Sequence, residues 1–342
     1  MRIALVYDLR DDYRALGYSE EAIAEFDSPE TIDALAGVLK ALGCEPVRVG
    51  RGQSLAARLV AGERYDLVFS IAEGLTGRSR EAQVPALCEL FGQPYLFSDP
   101  LTLAASLDKA VAKKLVRDAG IPTPDFAVAR TNASELDGWD AFPAFVKPLA
   151  EGTGKGCEAA SLVHTAEELR AAATRVLSRY GQPALAERFL SGREFTVGVV
   201  GNGADARVLG VCEILLKPQA EANVYSLHNK ELCEDLVTYK RAEDAEARLA
   251  GTRALEAYRA LDCRDTARID FRSDAHGEPC FLEANPLAGL HPSHSDLPIL
   301  AAQAGIGFVE LIGMILDAGL ARYGLSRAGL ARPGGERLPR TA

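Results

Sequence analysis

The chain has 342 residues, 48% hydrophobic and 25% charged, a balance that suits a globular protein long enough for two or three cores. With a formal net charge of −10 and no Lys/Arg-rich block, nucleic acid and anionic membrane surfaces are excluded as main partners; no apolar run is long enough to span a bilayer, and the first residues do not read as a secretory signal. The seven cysteines are scattered, odd in number and without a CxxC pair, which points to reduced thiols in a cytoplasm rather than to disulfides or zinc.

Residues 2–7 (RIALVY) read as a buried strand, followed by a long acidic loop to Asp27. A helix opens after Ser28, with Pro29 in its first turn, an apolar stripe of Ile32, Leu35, Ala36 and Leu39, and Gly43 as its stop. EPVRVG and YDLVFSI supply further strands, so an open parallel sheet is expected through about residue 100. Ligands gather at the carboxyl ends of such strands, which makes Glu73, in SIAEG, either a substrate-edge residue or a plain loop carboxylate. SLDKAVAKKLVRDAG reads as one helix with Asp108 near its start, and a domain boundary is expected just before it.

Next come a strand carrying Lys147, a loop with three glycines (EGTGKG), and a second strand. GxxxxGK[ST] is absent, but a glycine-rich loop between strands brings backbone N–H groups against phosphate oxygens, with Lys147 and Lys155 adding charge. A helix over 165–180 has a Thr165 to Glu168 capping box and Gly181 as its stop. The strands ALAERFL, EFTVGVV and VLGVCEILLK follow, then an irregular segment to about 240 and a helix near 243–260. After the hairpin of residues 267–286, two helices, in DLPILAAQAG and FVELIGMILDAGL, precede a frayed tail.

In that hairpin, ARIDFRSDAHGEPCFLEANP, Arg268, Asp270 and Arg272 share one face of a strand while Ile269 and Phe271 share the other. The segment SDAHGEP turns the chain, and Glu283 and Asn285 share a face of the returning strand, with Asp270 opposite Glu283. Two carboxylates and an amide oxygen converging there suit Mg²⁺, which prefers oxygen ligands; an exposed hairpin with solvated charges is the other reading.

Taken together, LDK, VKP with GKG, ERFLSGREFTVG and RIDF with FLEANPLAGLHPSHSDLP resemble the ATP-grasp superfamily, and within it the D-alanine:D-alanine ligases and their relatives, in one order over about residues 60–320. The resemblance implies an α/β and α+β fold class, an ATP-grasp fold with an N-terminal open parallel α/β domain. Its expected divisions are 1–100, a central subdomain 101–194 with the glycine-rich loop, a C-terminal subdomain 195–325 with the metal and oxyanion site, and a tail 326–342. It also implies ATP, Mg²⁺ (two ions, with Mn²⁺ able to replace them), amino-acid-like small-molecule substrates and a homodimer.

Residue by residue, Lys109 and Lys147 match the family's nucleotide lysines, and the loop Glu151, Gly152, Thr153, Gly154, Lys155 and Gly156 matches the one that closes over the triphosphate. Glu187, Arg188, Phe189 and Leu190 resemble the linker beside adenine, and Glu194 the acid on the ribose hydroxyls; surface charge is the alternative for the two glutamates. Asp270 would hold one Mg²⁺, Glu283 bridge two, and Asn285 hold the second. Arg268 matches the arginine on the tetrahedral oxyanion, a role that suits its fixed charge and planar fork, with Gly289 adding a backbone N–H; it could instead be an ordinary partner for a neighbouring carboxylate. Ser295 aligns with the serine on the amine substrate's carboxylate, and Lys230 with a phosphate-contacting lysine.

The departures concern the substrates. The family's opening GGxS and ammonium-binding glutamate give way to YDLRDDY, with Glu25 or Asp27 as replacements; Thr153 stands for a loop serine, Glu231 for a tyrosine, Glu73 and Gly74 for a histidine–glycine pair, and Asp296 for an apolar neighbour of Ser295. The expectation is an ATP-dependent carboxylate–amine ligase working through an acyl phosphate, with an acidic pocket that favours a more cationic or polar substrate than alanine. True D-alanine:D-alanine ligation and a nucleotide-binding regulatory module without turnover are the alternatives. His291 and His294 lie beside the site as titrating or packing groups.

Overall fold

A computed structural model describes residues 1–220, Asn229 and 232–327; Lys230, Glu231 and residues 328–342 lie outside the described residues. Strand β1 (Arg2–Val6) buries every residue from Ile3 to Val6, as a strand covered on both faces must, and pairs in parallel with β2 (Glu45–Gly50) and β3 (Leu67–Ser70) in the order β2-β1-β3. The segment expected as a loop after β1 contains a short helix, α1 (Arg10–Ala15), because Tyr13 packs inward against Phe26 and its hydroxyl donates to Asp8 at 2.7 Å. Helices α2 (Pro29–Ala41), α3 (Gly52–Val60) and α4 (Gln83–Leu90) complete the first unit.

A further helix, α5 (Pro100–Leu107), lies directly ahead of α6 (Lys109–Asp118), the helix expected with Asp108 near its start. Asp108 ends the first in an extended conformation (φ −81°, ψ 94°) and caps the second by accepting from Val111 N–H at 3.1 Å. The break aims Lys109 at the cleft.

Two antiparallel sheets follow. β4 (Phe126–Ala129), β5 (Ala144–Pro148), β6 (Leu162–Val163) and β7 (Ala184–Arg188) run in the order β4-β7-β5-β6 beneath α7 (Ala166–Tyr180). Thr165 caps α7 as expected, but Glu168 reaches back to the N–H of His164 at 2.6 Å. The second sheet, ordered β10-β9-β8-β11-β12, holds β8 (Glu194–Val200), β9 (Arg207–Leu216), β10 (Val237–Arg241), β11 (Thr266–Ser273) and β12 (Pro279–Asn285). The stretch 233–241, expected as irregular, is a helix α8 (Cys233–Leu236) running into β10; Cys233, Leu236 and Val237 bury their side chains against Ile214.

Helix α9 (Ala245–Ala260) presents Ala247, Ala250, Gly251, Ala254 and Ala257 to this sheet, small side chains that permit close approach. Helices α10 (Asp296–Gln303) and α11 (Phe308–Arg322) share an apolar core with the first sheet, where Leu311, Ile312 and Ile315 join Ile3, Leu5 and Leu35. Among the described residues no single helix is long and apolar enough to cross a membrane.

Candidate active site

The hairpin has the register its alternation implies: Asp270 faces Glu283 and Arg268 faces Asn285, with a bulge immediately after Asp270. β11 is not a free edge, since β8 lies on its other side and Thr196 donates its hydroxyl to Asp270 Oδ1 at 2.8 Å. Arg268 is ion-paired to Asp270 and lies 3.5 Å from Asp296; burial opposes its charge, but Asp270, Asp296 and Glu283 more than compensate and hold the cation firmly protonated. Asn285 turns its amide N–H₂ toward Asp270 at 3.3 Å, and Glu283 pairs with Lys109 Nζ at 3.2 Å. Asp270, Glu283 and the amide oxygen of Asn285, on adjacent strands, are oxygen ligands of the kind a hard divalent ion takes; Arg268 and Lys109 hold the two carboxylates in this structure.

Beside the hairpin is a slot of about 110 Å³ lined by Lys109, Lys147, Lys155, Phe189, Leu190 and Glu194, among others. Glu187 occupies its floor, buried, with Lys147 Nζ at 2.6 Å and Lys113 Nζ at 3.0 Å. Burial alone would raise the Glu187 carboxyl, but Lys113 and Lys147 pull it down to about 2. Lys113 has the opposite fate: fully buried, it is pushed down to about 8 by desolvation against the pull of Glu187. Its importance was not visible in the sequence, where it is one polar residue in a charged helix. Arg188 points outward to Asp125 at 3.2 Å. Arg272 stacks over the Phe189 ring at 4.7 Å and reaches Glu194 at 3.3 Å, which adds a wall residue that no motif had marked.

The glycine-rich loop closes the slot. Thr153, Gly154 and Gly156 have positive φ (53°, 71° and 74°), and a Cβ on Gly156 would run into the Pro148 ring. Glu151 holds Lys155 at 3.0 Å. The N–H of Gly152 donates to Glu25, whose other oxygen accepts from Arg80 at 2.6 Å, and Arg80 also donates to the carbonyl of Ala150 at 2.7 Å. Glu25 therefore fastens the loop to the first unit and is already countered by a guanidinium.

A larger cavity, about 790 Å³, opens on the far side of Lys109, Glu151 and Glu283, which line both spaces. It contains Glu25, Asp27, Glu73, Arg268, Ser295 and Asp296 among its lining residues, so the expected substrate positions converge. Ser295 Oγ accepts from His291 N–H at 2.9 Å, and a Cβ on Gly289 would lie 2.7 Å from that oxygen, so any larger residue there would displace the serine hydroxyl. The His291 and His294 rings lie 4.7 Å apart, tilted by 57°; burial, then the neighbouring His294, lowers the His291 pKa, so it is neutral at pH 7. Burial pushes Asp27 up to about 7 despite Thr31 and Arg10. Glu73 is raised well above its ordinary value, chiefly by burial and then by Glu81, which also reaches about 7. Glu81 was missed because nothing in REAQVPAL marks it; only the turn Arg80–Ala82 brings it to Glu73.

A family profile described as D-ala D-ala ligase C-terminus matches residues 115–317. The chain is 36% identical over 260 residues to "Uncharacterized protein y4sG" of Sinorhizobium fredii, covering 75% of each chain. It is 31% identical over 317 residues to the D-alanine–D-alanine ligase of Bordetella petrii, covering 90% of this chain and 94% of that one. The D-alanine–D-alanine ligase of Bacillus anthracis complexed with ATP has the same fold, with a TM-score of 0.71 at 22% identity over 97% of this chain and 100% of that one. The fold is shared too by the VanG D-Ala:D-Ser ligase of Enterococcus faecalis, with a TM-score of 0.69 at 21% identity over 93% of this chain and 99% of that one. The chain thus belongs to the D-alanine–D-alanine ligase family, ATP-dependent enzymes of the ATP-grasp fold that form an amide bond.

Proposed function

We propose that the enzyme phosphorylates the carboxylate of one amino-acid-like substrate with ATP and couples the acyl phosphate to the amine of a second, releasing ADP and phosphate. The observation that carries this reading is the junction at Lys109, Glu151 and Glu283, where the nucleotide slot and the substrate cavity meet. A γ-phosphate at that junction lies between the two chambers, so transfer needs positioning and charge compensation more than covalent help. Lys109 and Lys147 would take the phosphates, and the linker Glu187 to Leu190 with Glu194 the adenosine. Phe189 and Arg272 supply a stacked wall. Asp270, Glu283 and Asn285 would hold Mg²⁺, which supplies Lewis-acid compensation of phosphoryl charge when bound. Arg268, with the Gly289 N–H, would stabilise the oxyanion as the amine attacks, and Ser295 would orient the amine substrate's carboxylate. Lys230 belongs to the same reading as a phosphate contact, although it lies outside the described residues.

The cavity favours substrates other than two alanines. Carboxylates outnumber lysines and arginines in its lining, and Glu73 and Asp296 stand where the family has a histidine and an apolar residue. A D-alanine:D-alanine ligase is the second reading, favoured by the 31% identity to the Bordetella petrii relative. A homodimer with small-molecule substrates completes the proposal, together with a cytoplasmic location, which the seven free cysteines support. The test is ADP release with Mg²⁺ against D- and L-amino acids, singly and in pairs. Release that needs two different amino acids supports the proposal, release with D-alanine alone establishes the second reading, and release with no pair overturns both.

A further inference from the structure

Four carboxylates of the large cavity have a cation of their own: Glu25 has Arg80, Glu151 has Lys155, Glu283 has Lys109 and Asp296 has Arg268. Glu73 and Glu81 differ. Among the described residues neither forms an ion pair; burial above all, and then the like charge of the other, pushes the Glu73 carboxyl upward, and burial raises Glu81 against the pull of Arg80 and Lys109. Arg80, though adjacent in sequence to Glu81, is committed to Glu25 and the Ala150 carbonyl. Two acids set together in a sheltered wall weaken the fold unless a positive group arrives between them.

A second observation comes from a different element. The turn Arg80–Ala82 packs on α5, which brings Ser106 into the same cavity lining. Ser106 is 3% exposed, and its Oγ has no hydrogen-bond partner among the described residues. Buried polar atoms are nearly always satisfied, so an orphaned hydroxyl in a cavity wall marks a contact that a ligand completes.

We propose that Glu73, Glu81 and Ser106 form a receptor for a primary ammonium group on the side chain of the carboxylate-donating substrate, which is therefore a dibasic amino acid. Three oxygen acceptors from three separate segments match the three N–H donors of an ammonium. The donor substrate is the one concerned because Ser295 and Gly289, assigned above to the amine substrate, belong to the segment between β12 and α10, whereas the receptor is built by the loop after β3, the following turn and α5. This inference rests on the ligase reading and names the substrate class of that site.

The experiment compares ornithine with norvaline, which lacks only the terminal ammonium, in both stereochemical series. Two readouts are taken: ADP release with alanine as the amine partner, and calorimetric binding without turnover. Ornithine is expected to exceed norvaline about 100-fold in kcat/KM, and Glu73→Gln and Ser106→Ala to reduce that preference to about 10-fold or less, chiefly through KM. Ser106→Ala removes a hydroxyl with no protein partner, so it keeps the test independent of folding. Equal or better use of norvaline, or ornithine binding indifferent to Glu73→Gln, overturns the receptor. Selective ornithine binding with no ADP release from any pair leaves the receptor standing and sinks the ligase reading; ADP release from norvaline alone does the reverse.

Discussion

Glu187 shows how much one side chain carries. Its carboxylate counters both Lys113 and Lys147, and replacing it by glutamine strands two buried cations, an expected loss of about 3–5 kcal/mol in urea unfolding at pH 7. Because its folded-state pKa is depressed to about 2, the contribution is complete above the ordinary 4.5 and lost as pH falls toward 2. The acids of the substrate wall behave oppositely. Glu81 and Asp27 are raised to about 7, so the folded state binds more protons than the unfolded between their ordinary values and 7, and stability declines as pH rises through that range. Glu81→Gln is therefore expected to raise the melting temperature at pH 8 by about 2–4 °C and to leave it unchanged at pH 4, as thermal melts would show. Such values were not legible in the sequence, which lists Lys113 and Glu81 as two more charges and says nothing of the walls that enclose them.

At the scale of elements, the helix break at Asp108 is the informative case. The sequence starts a helix at SLDK, and Asp108 does stand at its start; what local pattern does not show is the separate helix just ahead of it, which the same carboxylate ends while also receiving Arg78 at 2.6 Å. Asp108→Ala is expected to cost about 1 kcal/mol as a lost cap and, by displacing Lys109, to raise KM for ATP about 10-fold, while Asp108→Asn keeps the cap and most of the affinity. Unfolding curves and ATP titrations check both. The hairpin, by contrast, was readable from its period of two and its polar turn, because strand alternation fixes which side chains share a face. The bulge after Asp270 was not, nor was β8 on the far side, since partners distant in sequence leave no local trace. The same limit hid the helix and strand of 233–241, which owe their form to burial against Ile214.

For the molecule as a whole, one buried carboxylate fastens the first unit to the C-terminal sheet and helices. Asp265 accepts from Phe97 N–H at 2.8 Å, Asn202 at 3.0 Å and Arg322 at 2.7 Å and 2.9 Å. Asp265→Asn is expected to cost about 3 kcal/mol in denaturant unfolding with kcat/KM per folded molecule kept within about twofold, since the network stands apart from the cavity lining. The parallel first sheet was legible because strands and helices alternate there, each with its own period. The shared core between α11 and the first sheet was not, because it joins the two ends of the chain.

Arg80 and Glu81 are consecutive, so the anchor that steadies the glycine-rich lid and the acid that greets an incoming cation ride on one rigid step of backbone. Any redesign that swaps donor preference by reshaping this step will also retune how long the nucleotide stays shut in. Engineered variants should be ranked by nucleotide release rate alongside selectivity.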